Sequence, residues 1–244
     1  NLISLELDYN ELGRKKGGEV AGCFSGLPKS LRRLSLYSNQ LGQDTITPEL
    51  PSTLAALPEG LIFLDLGNNN FAVTDSDLLS QAMAVLPPSI NSLNLRENNL
   101  AIQGASLKKI FSSLPQTINK LDLTKNNLDK LSLEELRNLA GSLAHIRKIY
   151  LSHQEIEAMS SEKIAALNKV FPGVERVILK DEEGLDLGNS LLAKLNLARK
   201  YGLSVRVPSL FKQSCFFIKK NPQLITDPSL LPQDLNFLFK VESK

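Results

Sequence analysis

The sequence predicts an α/β solenoid in which about eight short parallel β-strands form one face and helices form the other. Three observations support this fold class. A leucine-rich segment recurs at a nearly constant spacing, one slot of most copies holds an asparagine, and amphipathic helical patterns lie between the copies. Repeats of this length are typical of stacked units that contact only their neighbours along the chain.

The central apolar residue of each copy defines the repeat. Successive centres are separated by 28 to 30 residues. A further step of 28 residues from the seventh centre leads to Val205, so we expect the eighth strand at 203–207. The seven earlier centres are Leu5, Leu34, Leu64, Leu93, Leu121, Ile149 and Val177.

Each copy contains a short alternation of apolar and polar residues, such as Leu34-Ser35-Leu36. Alternate side chains of a strand point to the same face, so the two leucines of each such triplet point inward together. One strand cannot bury that face alone. Stacked neighbours can, and the sequence therefore predicts a continuous leucine core along the sheet.

The recurring asparagine is predicted to be structural. A side-chain amide both donates and accepts hydrogen bonds, so it can satisfy backbone groups of its own turn and of the next one. Later copies hold Gln154 and Glu182 in this slot, which predicts less regular C-terminal units. The asparagines are Asn10, Asn39, Asn69, Asn98 and Asn126.

The second half of each copy predicts a helix. In 76–87, Leu79, Met83 and Leu86 are three or four positions apart, which is the spacing of one helical face. Ser132, followed three residues later by Glu135, predicts a capping box. Leu-Pro pairs then end several helices before the next strand.

These segments resemble the leucine-rich repeat family, whose pattern is L-x-x-L-x-L-x-x-N-x-L. LRRLSLYSNQL at 31–41 and INSLNLRENNL at 90–100 carry the resemblance most clearly. The period is most similar to that of the ribonuclease-inhibitor-like subclass, in which every unit carries a full helix. The resemblance implies a right-handed horseshoe with a concave parallel sheet and convex helices, and it implies that partners bind the concave face.

We expect residues 1–207 to form the leucine-rich repeat domain and residues 208–244 to form a C-terminal helical cap or tail. The segment 209–220 has an amphipathic pattern that could cover the last open layer of the core. Its aromatic residues leave a docking or membrane-contacting tail as the alternative. Cys215 lies in this segment. Cys23 lies on the first helix, where we expect it to be a small buried residue.

Composition argues against several classes of protein. The chain is 42% apolar and 22% charged, as soluble globular proteins are, and no apolar run is long enough for a membrane helix. A net charge of +2 is too small to predict a nucleic-acid or anionic-membrane partner. Two cysteines exclude a disulfide framework. Because residue 1 is Asn, we expect the natural start to lie upstream.

The sequence predicts no enzyme, cofactor or metal site. HExxH, GxxxxGK[ST] and GxSxG motifs are absent. The two histidines are His145 and His153, and the repeat pattern fixes no acid beside either of them. A nucleophilic enzyme needs a nucleophile, a base and an orienting group together.

The strand register assigns the outward positions of the concave face. The residue before each centre is basic in four copies and acidic in none, whereas the residue after it is acidic in three copies. Such a striped face favours a protein partner over a phosphate backbone, which needs many summed cations. Aromatic residues and arginines are the usual anchors of interfaces. The predicted protein-binding residues are Arg33, Tyr37, Phe63, Asp65, Arg96, Lys148, Tyr150 and Arg176.

The short repeat pattern is also similar to that of leucine-rich effectors of intracellular bacterial pathogens. This resemblance implies a non-enzymatic protein-binding module that a bacterium secretes into the reducing host cytoplasm. The partner would be a host target or a second bacterial effector enzyme, which the horseshoe could inhibit by covering its active site.

Three alternatives stay open at this stage. The cationic row and the aromatic tail could bind nucleic acid or an anionic membrane. The chain could be a scaffolding module within a larger protein, or the targeting module of a larger enzyme such as a ubiquitin ligase. For the ligase, the residues after the repeats are too few to form a domain core, and Cys215 is followed by Phe216-Phe217 rather than by that family's Cys-x-Asp.

Overall fold

A computed structural model of the chain describes residues 1–43, 46–182, 184 and 186. In this part of the chain, seven strands form one parallel sheet in which each strand pairs with the strands before and after it in sequence. The predicted α/β solenoid is confirmed. The expected strand at 203–207 and the expected cap or tail at 208–244 lie outside the described residues. The strands are β1 (Ser4–Glu6), β2 (Arg33–Ser35), β3 (Phe63–Asp65), β4 (Ser92–Asn94), β5 (Lys120–Asp122), β6 (Lys148–Ser152) and β7 (Arg176–Lys180).

The helices occupy the other side of each unit and are shorter than the full helices that the subclass implies. Several of them have only six residues. In five units a 3-10 turn comes between the strand and the helix, at Leu12–Arg14, Thr47–Glu49, Phe71–Val73, Leu100–Ser106 and Leu128–Lys130. The α-helices are α1 (Gly17–Ser25), α2 (Leu50–Ala55), α3 (Ser76–Ala84), α4 (Leu107–Ser112), α5 (Leu133–Asn138), α6 (His153–Ala158) and α7 (Ser161–Asn168).

The sheet is concave because strands and helices pack at different spacings. Neighbouring strands lie ~4.8 Å apart, whereas packed helices need about 8–10 Å between their axes. Units that are wider on the helical side must therefore curve toward the strand side. The face that carries the outward side chains of the strands becomes the inner surface of the horseshoe.

The central residues of the repeat pair with one another in register, as predicted. Leu34 pairs with Leu64, and Leu64 with Leu93. All three are fully buried or nearly so. Beside β1, the first strand that the structure describes, Leu2 and Ile3 are 44% and 51% exposed. The predicted leucine core therefore runs along the described sheet from β2 onward.

The recurring asparagine forms a ladder of side-chain hydrogen bonds between units. Asn98 is completely buried; its Oδ1 accepts the backbone N–H groups of Asn69 and Phe71, and its Nδ2 donates to the carbonyl oxygen of Leu66. Asn39, Asn69 and Asn126 repeat this arrangement. Each asparagine side chain thus forms hydrogen bonds with the backbone of the preceding unit. The prediction that it bonds the backbone of the next unit is wrong. The remaining bonds of Asn98 are to its own turn.

The backbone on both sides of the ladder turns through the left-handed region. Glu97 and Asn99, which flank Asn98, have φ values of 59° and 51°. Asparagine tolerates this conformation better than most residues do, and it occupies the second flanking position in three units, at Asn70, Asn99 and Asn127. These tight turns place each ladder asparagine beside the unit that it caps.

The ladder ends at Glu155, and not at Gln154 as the alignment of repeats suggested. In the sixth unit β6 leads directly into α6, and the Glu155 carboxylate accepts the backbone N–H groups of Asn127 and Leu128 at 2.9 and 3.1 Å. Gln154 is exposed instead. A helical turn replaces the asparagine turn here, so the side chain that reaches the preceding unit is displaced by one residue.

Replacing Asn98 with Ala should lower the free energy of unfolding by ~3 kcal/mol or more. The change would leave two buried N–H groups and a buried carbonyl without partners, each at a cost of about 1–3 kcal/mol. Urea denaturation monitored by far-ultraviolet circular dichroism would measure this. Asn91→Ala is the control, because the Asn91 side chain makes no hydrogen bond within the described residues. Equal losses in the two variants would contradict the role assigned to the ladder.

The capping carboxylate should also make stability depend on pH. Burial raises the pKa of Glu155, although its hydrogen bonds to the backbone N–H groups of Asn127 and Leu128 oppose that shift. Its contribution to the free energy of unfolding is therefore complete when the pH is below the ordinary pKa of glutamate. This contribution is lost as the pH rises through the raised pKa. The stability advantage of the native protein over Glu155→Gln should be smaller at roughly pH 8 than at roughly pH 4. Denaturant titrations at both values, with the surface change Glu134→Gln as control, would test this, and an advantage that grew with pH would refute it.

Candidate functional site

The row of residues before each strand centre lies on the concave face in the predicted register. Arg33 pairs with Phe63, Phe63 with Ser92, and Ser92 with Lys120. The row then continues through Lys148 to Arg176. The strand register alone therefore brings four of the predicted binding residues into one line: Arg33, Phe63, Lys148 and Arg176.

Phe63 is half-buried, and its neighbour in the row partly covers it. The Arg33 guanidinium carbon lies 4.3 Å from the centroid of the Phe63 ring. A guanidinium over a ring face gains a cation–π attraction of about 0.5–1 kcal/mol at an exposed site. The outward phenylalanine is thus held in a defined position on the face, with an exposed arginine beside it.

Tyr37 and Arg96 form a second stack, although one repeat unit lies between the units to which they belong. The Arg96 guanidinium carbon lies 4.4 Å from the Tyr37 ring centroid, and Tyr9 contacts the same ring edge-on at 5.5 Å. Gly67 occupies the equivalent position in the unit between them. A Cβ atom there would lie 2.9 Å from both Tyr37 Cδ2 and Arg96 Cγ. The missing side chain of Gly67 gives Arg96 the room to reach Tyr37.

Hydrogen bonds and charges fix the far end of this stack. The Tyr37 hydroxyl donates to Glu97 Oε2, and Lys125 Nζ lies 3.2 Å from Glu97 Oε1. Burial raises the pKa of Tyr37, and the hydrogen bond to Glu97 raises it further, so Tyr37 stays a neutral donor. Burial alone would raise the pKa of Glu97. The bonds from Tyr37 and Lys125 outweigh that effect, and the net shift is downward.

Tyr150 forms the third cluster, near the C-terminal end of the described sheet. Lys148 Nζ and Lys180 Nζ each lie 4.8 Å from the centroid of its ring. Lys180 Nζ also contacts Asp122 Oδ2 at 2.6 Å, across the intervening strand β6. Tyr150 is therefore held among cations, as Phe63 and Tyr37 are.

Two of the three acids in the row that the sequence predicted do not face solvent, and only Glu6 on β1 is exposed. Asp65 and Asp122 are only 9% and 7% exposed. Asp65 accepts hydrogen bonds from the Gly67 backbone and the Asn94 side chain, and burial raises the pKa of this carboxyl. Asp122 accepts from the backbone and hydroxyl of Thr124 as well as from Lys180. The expectation of an exposed acidic row is therefore wrong for Asp65 and Asp122, and the Asp65 carboxylate forms hydrogen bonds within the sheet instead of facing a partner.

Two residues that shape the concave face were not predicted from the sequence. Gly67 makes the Tyr37–Arg96 stack possible, and Lys180 links Tyr150 to Asp122. Both occupy the same outward slot as Tyr37 and Arg96. A comparison of side-chain sizes within that slot would have shown one glycine between two large residues. The contacts themselves depend on the curvature of the sheet and could not be read from spacing.

Within the described residues, the reactive side chains do not gather into a site. Cys23 lies on α1 as expected but is exposed, because α1 buries Val20 and Phe24 and turns Cys23 away from that face. Burial lowers the pKa of His145. His153 begins α6 and its Nε2 lies 3.4 Å from Glu157 Oε1, an acid that the repeat pattern had not placed. Among the described residues no group of three or more His, Cys, Asp or Glu is arranged to hold a metal.

One open cleft of about 400 Å³ lies beside the end of the asparagine ladder. Lys125, Lys130, Asp129 and Glu155 line it, so charges of both signs meet there. It lies at the edge of the concave face, where α6 replaces the usual turn. In the part of the chain that the structure describes, no helix has the length and apolar character needed to cross a bilayer.

The repeat, the in-register parallel sheet and the asparagine ladder together make this chain a leucine-rich repeat protein. Among solved structures it is similar to the leucine-rich repeat-containing protein LegL7 from Legionella pneumophila, with 35% sequence identity and a TM-score of 0.74. That similarity covers 84% of this chain and 64% of LegL7, so the chain spans less than two thirds of that protein.

A putative lyase/mutase from Burkholderia cenocepacia was also matched, over all of this chain and 92% of that one. Its 11% identity and TM-score of 0.28 are too low to indicate a common fold. Neither a search of family models nor a search of curated proteins gave a match.

Replacing Gly67 with Ala should disrupt the Tyr37–Arg96 stack. The added methyl group would overlap both side chains, and overpacking of this kind costs about 1–3 kcal/mol. The near-ultraviolet circular dichroism of the tyrosines should change, and the protein should unfold at lower urea concentration. Gly22→Ala is the control, since nothing lies within 4 Å of that position on α1, and a helical Gly-to-Ala change should stabilise. An unaltered spectrum and stability for Gly67→Ala would contradict the assigned role.

Proposed function

We propose that this chain is a non-enzymatic protein-binding module and that its concave face is the binding surface. The observation that carries the proposal is the set of three aromatic–cation clusters on that face, around Phe63, Tyr37 and Tyr150. Aromatic and arginine side chains dominate the energy of protein interfaces when they are rigid and close together. Here the sheet holds them in place before any partner arrives, which lowers the entropy lost on binding.

The proposed anchors are Phe63 and Tyr150. Both are half-buried, so each presents part of an aromatic ring to the interior of the horseshoe while its backbone is fixed in a strand. Arg33, Lys148 and Arg176 lie in the same register row and belong to the same proposed surface. Asp65 is left out of this surface because it is buried.

We further propose that the protein acts as a bacterial effector inside a host cell. Its likeness to a leucine-rich repeat-containing protein of Legionella pneumophila supports this proposal. In that setting the partner is a protein of the host or of the bacterium. The exposed thiol of Cys23 is compatible with the reducing cytoplasm that the proposal requires.

Replacing both Phe63 and Tyr150 with Ala should weaken binding by ~2 kcal/mol or more, which is about thirtyfold in Kd. The purified chain would capture proteins from a eukaryotic cell lysate and, separately, from a bacterial lysate. The Kd of the captured protein would then be measured for each variant.

The matched control is Val73→Ala/Val85→Ala, because both valines are exposed apolar residues that lie off the sheet. Urea denaturation would first confirm that both double variants are folded. A partner held equally well by the native chain and by Phe63→Ala/Tyr150→Ala would place binding elsewhere on the molecule.

A further inference from the structure

We infer that the partner presents an acidic protein segment, and that the in-register cations Lys120, Lys148 and Arg176, together with Arg96, receive its carboxylates. This inference rests on the proposed function, in which the concave face binds a protein. It specifies that the bound segment of the partner is acidic, and it extends the binding surface to cations that do not contact Phe63.

Most acids of the concave face are already used within the sheet, whereas Glu6 remains exposed on β1, at the opposite end of the sheet from β7. Asp65 and Asp122 are buried and hydrogen-bonded, and Glu97 is bound by Tyr37 and Lys125. Asp8 accepts from Ser35 and from the Tyr37 backbone. The cations of the row Lys120, Lys148 and Arg176 make no ion pair within the described residues. The charge that the strands β5, β6 and β7 offer to a partner is therefore positive, although the sequence counts acids and bases in similar numbers.

The row places like charges next to one another. Lys120, Lys148 and Arg176 are direct register partners on the consecutive strands β5, β6 and β7. Their backbones are thus ~4.8 Å apart. Like charges directly opposite one another destabilise a sheet. Within the described residues no carboxylate relieves the repulsion in this row, so an anionic partner would stabilise it.

Arg96 is held by its stack on Tyr37. One face of its guanidinium lies against Tyr37, and Nε is buried without a hydrogen-bond partner. Its guanidinium makes no ion pair or hydrogen bond in the described part of the chain. A guanidinium stacked on a ring keeps the N–H donors in its plane free, and those donors match a carboxylate in bidentate fashion. Arg96 is therefore already oriented to bind a carboxylate.

The chain itself brings an acidic stretch to this place. After β7 the backbone turns at Gly184, whose φ is 80°, and a bridge joins Asp186 to Lys180. A Cβ atom on Gly184 would lie 3.9 Å from a terminal nitrogen of Arg96. Asp181, Glu182 and Asp186 are the described acids near this turn. A backbone that carries acidic residues thus fits beside Arg96 on the concave face.

The aromatic rings favour an acidic protein over a nucleic acid. Proteins that bind single strands stack bases on open aromatic faces. On this surface Arg33 lies over Phe63, Arg96 over Tyr37, and two lysines over Tyr150. These cations compete with bases for the ring faces, whereas carboxylates can bind the same cations and leave the stacks intact.

The test is fluorescence anisotropy of labelled decaglutamate with the native chain and with Lys120→Gln/Lys148→Gln/Arg176→Gln. The loss of three partly screened charge contacts should weaken binding about tenfold or more. The matched control is Lys108→Gln/Arg137→Gln/Lys169→Gln, which removes two lysines and one arginine from exposed helical positions and should bind like the native chain. Arg96→Gln alone should also weaken binding. A variant with Asp181→Asn/Glu182→Gln reports on competition from the chain's own acidic residues, and its binding should be at least as tight as that of the native chain.

Three results would overturn the inference. They are no binding of decaglutamate by either the native chain or Asp181→Asn/Glu182→Gln, equal weakening by the two triple variants, and tighter binding of an oligothymidylate of the same charge. The outcome is separable from that of the proposed function. A captured partner that is lost with Phe63→Ala/Tyr150→Ala but retained by Lys120→Gln/Lys148→Gln/Arg176→Gln would leave concave binding intact and refute only its acidic chemistry.

Discussion

The turn that follows each strand leaves backbone N–H and carbonyl groups inside the stack, where water cannot reach them, and the fold depends on satisfying these groups. Four buried asparagines do so for the unit before each of them. A buried group without a partner costs about 1–3 kcal/mol, so the ladder must be nearly complete for the stack to form. Where the asparagine series stops, the carboxylate of Glu155 takes over the same N–H groups. The substitution preserves the hydrogen bonds while the local backbone changes from a turn to a helix.

The ladder and the strand pairing together fix the register of every unit, and the register determines the concave face. Residues in one slot of the repeat become neighbours about one strand spacing apart. Side chains longer than that spacing can therefore reach the next unit or the one beyond it. Lys180 crosses β6 to reach Asp122, and Arg96 passes Gly67 to reach Tyr37. The face is a connected network, so the position of Tyr37 depends on Glu97, which is 60 positions away in the sequence.

The network also changes the electrostatic character of the face. Carboxylates that lie low between strands are buried and must be hydrogen-bonded, because an unpaired buried charge is costly. Long lysine and arginine side chains keep their charged ends near water while their stems pack on the sheet. Acids and bases present in similar numbers thus become unequal at the surface of β5, β6 and β7, where the accessible charge of the strands is positive. The similarity to LegL7 supports the fold over most of this chain, whereas the roles of these side chains follow from the contacts described above.

The sequence alone determined the strand centres, the asparagine slot and the set of residues on the concave face, because all three follow from a fixed period and from the alternation of side chains along a strand. It identified Phe63, Tyr150 and the basic row correctly as residues of that face. The tertiary structure decided which of the outward residues remain available. It buried Asp65 and Asp122, exposed Cys23, moved the end of the ladder from Gln154 to Glu155, and joined Tyr37 to Arg96. Periodicity gives the direction of a side chain, but its depth and its partners depend on curvature and on side-chain length, which only the packed units define.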